Sequence, residues 1–351
     1  MGDLAELRLR DFVPRRAVRA ARTDLAPMPP APLVDAHQHL GRWMTDGWAA
    51  PDVGRLIATM DELGIVAVVN LDGMTGDELE ANLDRYDRAH PGRFATFAQL
   101  DRARFADGDW AALGVDVADG AARGATGLKV WKDLGLHLRD PDGKLVGPDD
   151  PRLDPVWDAC AAAAIPVTIH TADPAAFFDP LDAWNERVEE LLEHPDWWFG
   201  DRERFPAFER LLDELEALIA RRSDVTFIGA HVLGCAEDLA WVGRILDTYP
   251  NAFADVAARI AELGRVPRAA RALLVRHADR FVFGTDDVPV AAATYEIHRR
   301  FFETADECFE YAAEPVPPQG RWTIDGLDLP SVVLRGLYGE NARRLIPGLA
   351  P

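Results

Sequence analysis

The chain has 351 residues, with 59 acidic and 38 basic side chains and a formal net charge of −21. That excess of carboxylates argues against a nucleic-acid partner, because phosphate contacts need a basic face. Hydrophobic residues make up 48 %, enough for a large core, and no stretch approaches the roughly 18 apolar residues of a membrane helix.

Residues 1–30 read as a basic, proline-containing arm that runs into MPPAP (28–32). It has no apolar run behind basic residues, so no secretory signal is expected. Cys160, Cys235 and Cys308 lie far apart and are odd in number, which suggests a reducing compartment. A cytoplasmic protein is expected. Residues 31–351 read as one further domain.

From there, eight short apolar runs alternate with longer amphipathic segments. The runs are LVDAHQHL (33–40), IVAVVNLDG (65–73), FATFAQLD (94–101), ATGLKVWKDLG (125–135), IPVTIHTAD (165–173), VTFIGAHV (225–232), NAFADVAA (251–258) and FVFGTDDV (281–288). Such runs suit strands of a parallel sheet buried on both faces. The segments 52–64, 151–164, 205–222 and 236–249 carry the helical period between them. Eight such alternations predict an α/β fold, a (β/α)₈ TIM barrel. A doubly wound sheet is the alternative, but no glycine-rich phosphate loop follows the first strand. Two connections exceed simple turns: 174–204 after strand 5, and 301–329 after strand 8. Long connections in compact domains are usually functional. The arm and 301–329 are also the candidate contacts of a homo-oligomer.

The chemistry-bearing residues sit at the C-terminal ends of the strand runs, where barrel active sites form. Strand 1 ends in His37 and His39. Lys129 lies on strand 4 with Lys132 beyond it. His170, His231 and Asp286 end strands 5, 6 and 8. Strand side chains alternate, so His37 and His39 point the same way and can hold one ion. His170 and Asp286 enter the same space. Three imidazoles and a carboxylate suit one divalent ion, zinc first, with Mn²⁺ or Fe²⁺ as alternatives. An isolated H-x-H is more often structural; the shared strand-end register is what argues for a metal. Trp43, Trp131 and Trp184, with Lys129 and Lys132, are candidate substrate contacts. Trp197 and Trp198 share the 174–204 loop with Trp184.

The motifs VDAHQH, AHPGRFATFAQLD, IPVTIH, VTFIGAH, FVFGTDDVP and LYGENARRLI span the chain from about residue 32 to its end. In them the sequence resembles the metal-dependent amidohydrolase superfamily, in the amidohydrolase-related branch that includes aminocarboxymuconate semialdehyde decarboxylase. The resemblance implies one metal held by His37, His39, His170 and Asp286, with His231 as acid/base. Binuclear relatives carry a carboxylated lysine near the position of Lys129. The branch is usually mononuclear, and nearby acidic residues offer the Lys129 charge a partner, so an unmodified lysine is expected. The leading expectation is hydrolysis of an amide, lactone or related carbonyl of a small organic substrate by a metal-bound hydroxide. Asp286 would accept the water's proton, and His231 would polarise the carbonyl or protonate the leaving group. The alternative is non-oxidative decarboxylation, or C–C hydrolysis or hydration, of a small and possibly aromatic carboxylate. A degenerate barrel that only binds a ligand is the third reading.

Overall fold

The structure, a computed structural model, describes residues 6–13, 20–44, 47–288 and 290–349. Residues 1–5 and 14–19 of the expected arm, and Pro289 of the FVFGTDDVP motif, lie outside the described residues.

Eight parallel strands neighbour one another in chain order. They are β1 (Leu33–Gln38), β2 (Ile65–Asn70), β3 (Phe94–Gln99), β4 (Gly127–Val130), β5 (Val167–Ile169), β6 (Phe227–Gly229), β7 (Ala252–Asp255) and β8 (Phe281–Val282). The eighth closes on the first. Ala36 N donates to Phe283 O at 2.8 Å and Asp286 N to His37 O at 3.0 Å. The result is the expected (β/α)₈ barrel. Each strand lies inside its apolar run; His37, Lys129 and Asp255 fall in the last residues of β1, β4 and β7, while His39, His170, His231 and Asp286 follow just beyond β1, β5, β6 and β8.

The main helices between strands are α1 (Val53–Leu63), α2 (Gly76–Leu83), α3 (Trp110–Arg123), α4 (Asp154–Ala163), α5 (Phe208–Arg221), α6 (Leu239–Thr248) and α7 (Pro267–Arg276). Helix α8 (Ala292–Glu303) follows β8. Helix α5 shows why these segments fold so. It buries Leu211, Leu212, Leu215, Leu218 and Ile219, one face of a 3.6-residue period. Helix α1 starts where Asp52 accepts from Arg55 N and stops at Gly64, whose φ of 73° suits glycine. The C-terminal segment Ser331–Leu345 packs its Ala342, with Ile346 beyond it, against Val34, Val69 and Val282 of the strands.

Two features position the rim. The first is a buried knot on Asp35. Its carboxylate accepts from Thr285 N (3.2 Å), Thr285 Oγ1 (2.6 Å), Gln38 Nε2 (3.0 Å) and the Tyr295 hydroxyl (2.5 Å). That ties β1 to the segment after β8. The second is Gly284, where the chain passes so close to His37 that an added Cβ would lie 2.7 Å from the histidine's Cβ. Gly284→Ala is therefore expected to cost about 1–3 kcal/mol of stability, read as a lower melting temperature. An unchanged melting curve would show that the two strands can part at no cost.

The long connections are ordered by aromatic packing and ion pairs. In 174–204, Phe177, Phe178, Leu191 and Phe199 form a small core. Arg187, buried there, pairs with Glu190 and with Glu262 beyond β7. The second connection begins later than its sequence suggested, because α8 continues to Glu303. Arg321 joins it to Glu189 of the first. Of the described parts of the arm, Leu9 and Phe12 meet Arg321 and residues 22–28 lie along α8. Thr23 Oγ1 donates to Asp306 at 2.6 Å, and Arg299 donates to the carbonyls of Ala26 (2.9 Å) and Met28 (3.0 Å).

Candidate metal centre

Three imidazoles surround the Asp286 carboxylate. His39 Nε2 stands 3.1 Å from Oδ1, His37 Nε2 3.7 Å from Oδ1, and His231 Nε2 3.8 Å from Oδ2. All three histidines are buried, while the Asp286 side chain keeps 25 % of its surface exposed. It is the open side of the cluster. Among the described residues, His37, His231 and Asp286 bring ligand atoms within 4.8 Å of one another.

The other ring nitrogen of each histidine is already committed. His37 Nδ1 meets Asp255 Oδ2 at 2.7 Å, and His39 Nδ1 meets Asp72 Oδ1 at 2.8 Å. A carboxylate can only accept, so Nδ1 carries the hydrogen and Nε2 faces the centre. His231 Nδ1 donates to Ala257 O at 3.0 Å, with the same consequence. Asp72 also accepts from Trp43 Nε1 at 2.7 Å. Neither Asp72 nor Asp255 figured in the sequence reading. Both sit at the end of a strand run, Asp72 two residues past β2 and Asp255 as the last residue of β7, so the register that found the histidines also marks them.

The backbone here is strained in a way that rims of catalytic barrels tolerate. His231, Val232 and Leu233 all have φ near 60°, as has Asp286. A left-handed valine is rare and persists only where surrounding contacts over-determine it. Asp255 does part of that work: its Oδ1 accepts from His231 N at 2.7 Å and Ala257 N at 3.1 Å.

Charge is distributed unevenly. Burial works against ionising Asp286, but His37, His39 and His231 hold its carboxyl well below the usual range. Burial also opposes a charge on His39, yet Asp72 and Asp286 raise it to about 9. A proton thus sits between His39 and Asp286, at the place a cation would take. Burial drives His231 well below its ordinary value, so that imidazole is neutral with Nε2 bare.

His170 stands apart from this cluster. Its Nε2 lies 3.3 Å from Asp173 Oδ1 in poor hydrogen-bonding geometry, which leaves the buried nitrogen without a hydrogen-bond partner. Its ring is 4.3 Å from that of His231, and burial lowers its pKa to about 4. Lys129 is fully buried, with Nζ 3.4 Å from His37 Nε2 and 4.9 Å from the Trp131 ring. Among the described residues it forms no close ion pair with a carboxylate; the nearby acidic residues Asp286, Asp255 and Asp72 act on it at longer range. Lys132 has a close carboxylate partner instead, in Asp173. Burial pushes the Lys129 ammonium down to about 8 against the pull of Asp286, Asp255 and Asp72.

The tryptophans divide. Trp131 packs 4.9 Å from the His39 ring and 4.7 Å from Trp43, and its buried Nε1 has no partner. Trp184, expected as a substrate contact, stands on the surface. Its surface is 92 % exposed, and it lines no part of the cavity of about 360 Å³ that opens beside Asp286. Trp197, from the same loop, lines it together with Asp287, His298, Tyr311 and Gln319.

A model of the amidohydrolase family matches residues 34–348. The chain belongs to that family. No curated protein matches it. Among solved structures, this amidohydrolase is similar to 5-carboxyvanillate decarboxylase from Sphingomonas paucimobilis, with a TM-score of 0.51 and 14 % identity over 89 % of this chain and 98 % of that one. It is also similar to an amidohydrolase from Burkholderia multivorans with bound zinc, with a TM-score of 0.50 and 16 % identity over 90 % and 98 % of the two chains. At such identities the likeness is one of fold. Amidohydrolases are metal-dependent, and the donors in this one fit a divalent cation. Buried Nε2 atoms face a carboxylate, each imidazole is oriented by an acceptor behind it, and His170 offers an orphaned nitrogen. Among the described residues no helix is long and apolar enough to cross a membrane.

Proposed function

We propose that this amidohydrolase is a hydrolase using one divalent ion, zinc by its donor set, on an amide, lactone or related carbonyl of a small organic substrate. The observation that supports hydrolysis is directional. Asp286, which lines the cavity, and His231 next to it both offer proton acceptors: Asp286 its Oδ2, and His231 its Nε2 3.8 Å away. Hydrolysis begins by taking a proton from water. Decarboxylation ends by giving one to carbon.

His37, His39 and Asp286 would hold the ion, with His170 completing the set. Bound there, it supplies Lewis acidity to the reacting carbonyl. Asp286 Oδ2 takes the proton of the attacking water. His231 Nε2 receives that proton and returns it to the departing nitrogen or oxygen. Its Nδ1–H, spent on Ala257 O, keeps Nε2 aimed at the reaction. Trp131 Nε1 offers a hydrogen bond to a substrate oxygen, while Trp43 and Lys129 wall that side. Lys132, paired with Asp173, lies 5.2 Å from the Trp197 ring and steadies that wall.

The test is turnover of amides, lactones and esters by the zinc-loaded protein in H₂¹⁸O. One label per turnover is expected in the new carboxylate. CO₂ release without label from a carboxylate substrate would instead establish the lyase.

A further inference from the structure

We propose that the substrate carries a cationic nitrogen, an alkylammonium or amidinium group, on the arm that extends from its reacting carbonyl into the cavity beside Asp286. This rests on the hydrolase reading only for where the carbonyl sits.

The cavity wall has one sign of charge. Glu190, Glu193, Asp286, Asp287 and Glu314 line it, and no lysine or arginine does. Glu190 is compensated by Arg187 from behind. Glu193, Asp287 and Glu314 form no ion pair among the described residues. An acidic wall alone would mean little, since surface carboxylates are common on a chain of net charge −21.

Hydrogen-bonding capacity points the same way. His298, on α8, is 5 % exposed and lines the cavity. Its Nδ1–H is spent on Thr294 O at 2.8 Å, so the only remaining ring atom, Nε2, is an acceptor, and it has no partner. Burial lowers this histidine's pKa to about 4, which keeps that acceptor free of a proton. Asp287 Oδ2 is likewise buried and without a partner. Buried polar atoms are nearly always satisfied, so such orphans mark where a ligand's donors belong. Three donors of the wall are already spent. Thr285 Oγ1 donates to Asp35, the Tyr311 hydroxyl to Gly320 O at 2.8 Å, and Gln319 Nε2 to Ala258 O at 3.2 Å. A carboxylate arm would find acceptors facing acceptors. An ammonium has only donors to give.

Trp197 adds a surface of the right kind. Its ring stacks on His194 at 4.1 Å and already holds the Lys132 ammonium at 5.2 Å, so an aromatic ring of this wall accommodates a cation. The net negative charge of the protein also raises the local concentration of cations.

The experiment uses three benzohydroxamates with one shared metal-binding head and a para arm ending in –CH₂NH₃⁺, –CH₂OH or –CH₂COO⁻. Calorimetry on the zinc-loaded protein measures their affinities without any need for turnover. The ammonium arm is expected to bind about tenfold or more tighter than the carboxylate arm, the worth of a single charge-assisted hydrogen bond. That ratio is expected to shrink in Asp287→Asn and in the double variant Glu193→Gln/Glu314→Gln, whose positions are exposed and whose fold is checked by melting. Equal or tighter binding of the carboxylate arm overturns the proposal. So does a ratio unchanged in both variants, or no binding of any of the three at full zinc occupancy. Failure of the hydrolase reading is seen separately, as turnover without ¹⁸O in the product.

Discussion

Asp286→Asn is expected to lower kcat by about three orders of magnitude or more, the upper part of the range for a positioned acid/base group, and to lower bound metal with it. The amide has the same shape, so packing gives no reason for a large loss. What changes is charge and direction. The carboxylate is the shared neighbour of His39, His37 and His231, at 3.1 to 3.8 Å. An asparagine would either turn its NH₂ towards those Nε2 atoms or present a neutral oxygen to the ion. It also cannot accept the water's proton. Metal analysis and kcat should be measured on the same preparation, because the two losses have separate causes. A variant with full metal and reduced kcat assigns Asp286 the proton role alone. A fully active variant with full metal would remove Asp286 from the chemistry altogether.

Much of this site is legible in the sequence because burial writes strands plainly. A parallel strand covered on both faces is mostly apolar, and β1 and β3 are buried throughout, with Asp35, His37 and Gln38 the polar exceptions of β1 and Thr96 and Gln99 those of β3. A histidine or aspartate just past such a run therefore stands out. The same logic reaches Asp72 and Asp255, but only if carboxylates are weighed as holders of imidazoles as well as ligands of a metal. What the register cannot convey is rotation and distance. Nothing in IPVTIHTAD says that His170 lies beside Asp173 three residues on, or that Lys132 pairs with that aspartate. The left-handed turn at His231 is equally silent, because its residues are not the glycines that usually mark one. The cavity wall is the least legible part. It joins two loops more than a hundred residues apart, tied by Arg321 and Glu189. Among three tryptophans of one loop, only that folding selects Trp197 over Trp184 as the lining residue.

Asp255→Asn should cost about 10- to 100-fold in metal affinity, the usual penalty for losing a carboxylate behind a ligating histidine. The residue touches no substrate. It works through two neighbours at once. Oδ2 accepts from His37 Nδ1, while Oδ1 accepts from the backbone amides of His231 and Ala257. An asparagine has one acceptor for these two duties. If its oxygen stays with the amides, its NH₂ confronts His37 Nδ1 and forces that ring to place its hydrogen on Nε2, the atom needed at the centre. If the amide flips, His37 is kept but the strained turn at His231 loses its support, and φ near 60° at His231 and Val232 is no longer held. The two outcomes separate experimentally. The first predicts weak metal binding, with kcat recovering as zinc is raised. The second predicts near-normal metal with low kcat at every zinc concentration. Normal affinity together with normal kcat would show that neither His37 nor the turn depends on Asp255, and the orienting role assigned to the carboxylates behind the histidines would fail with it.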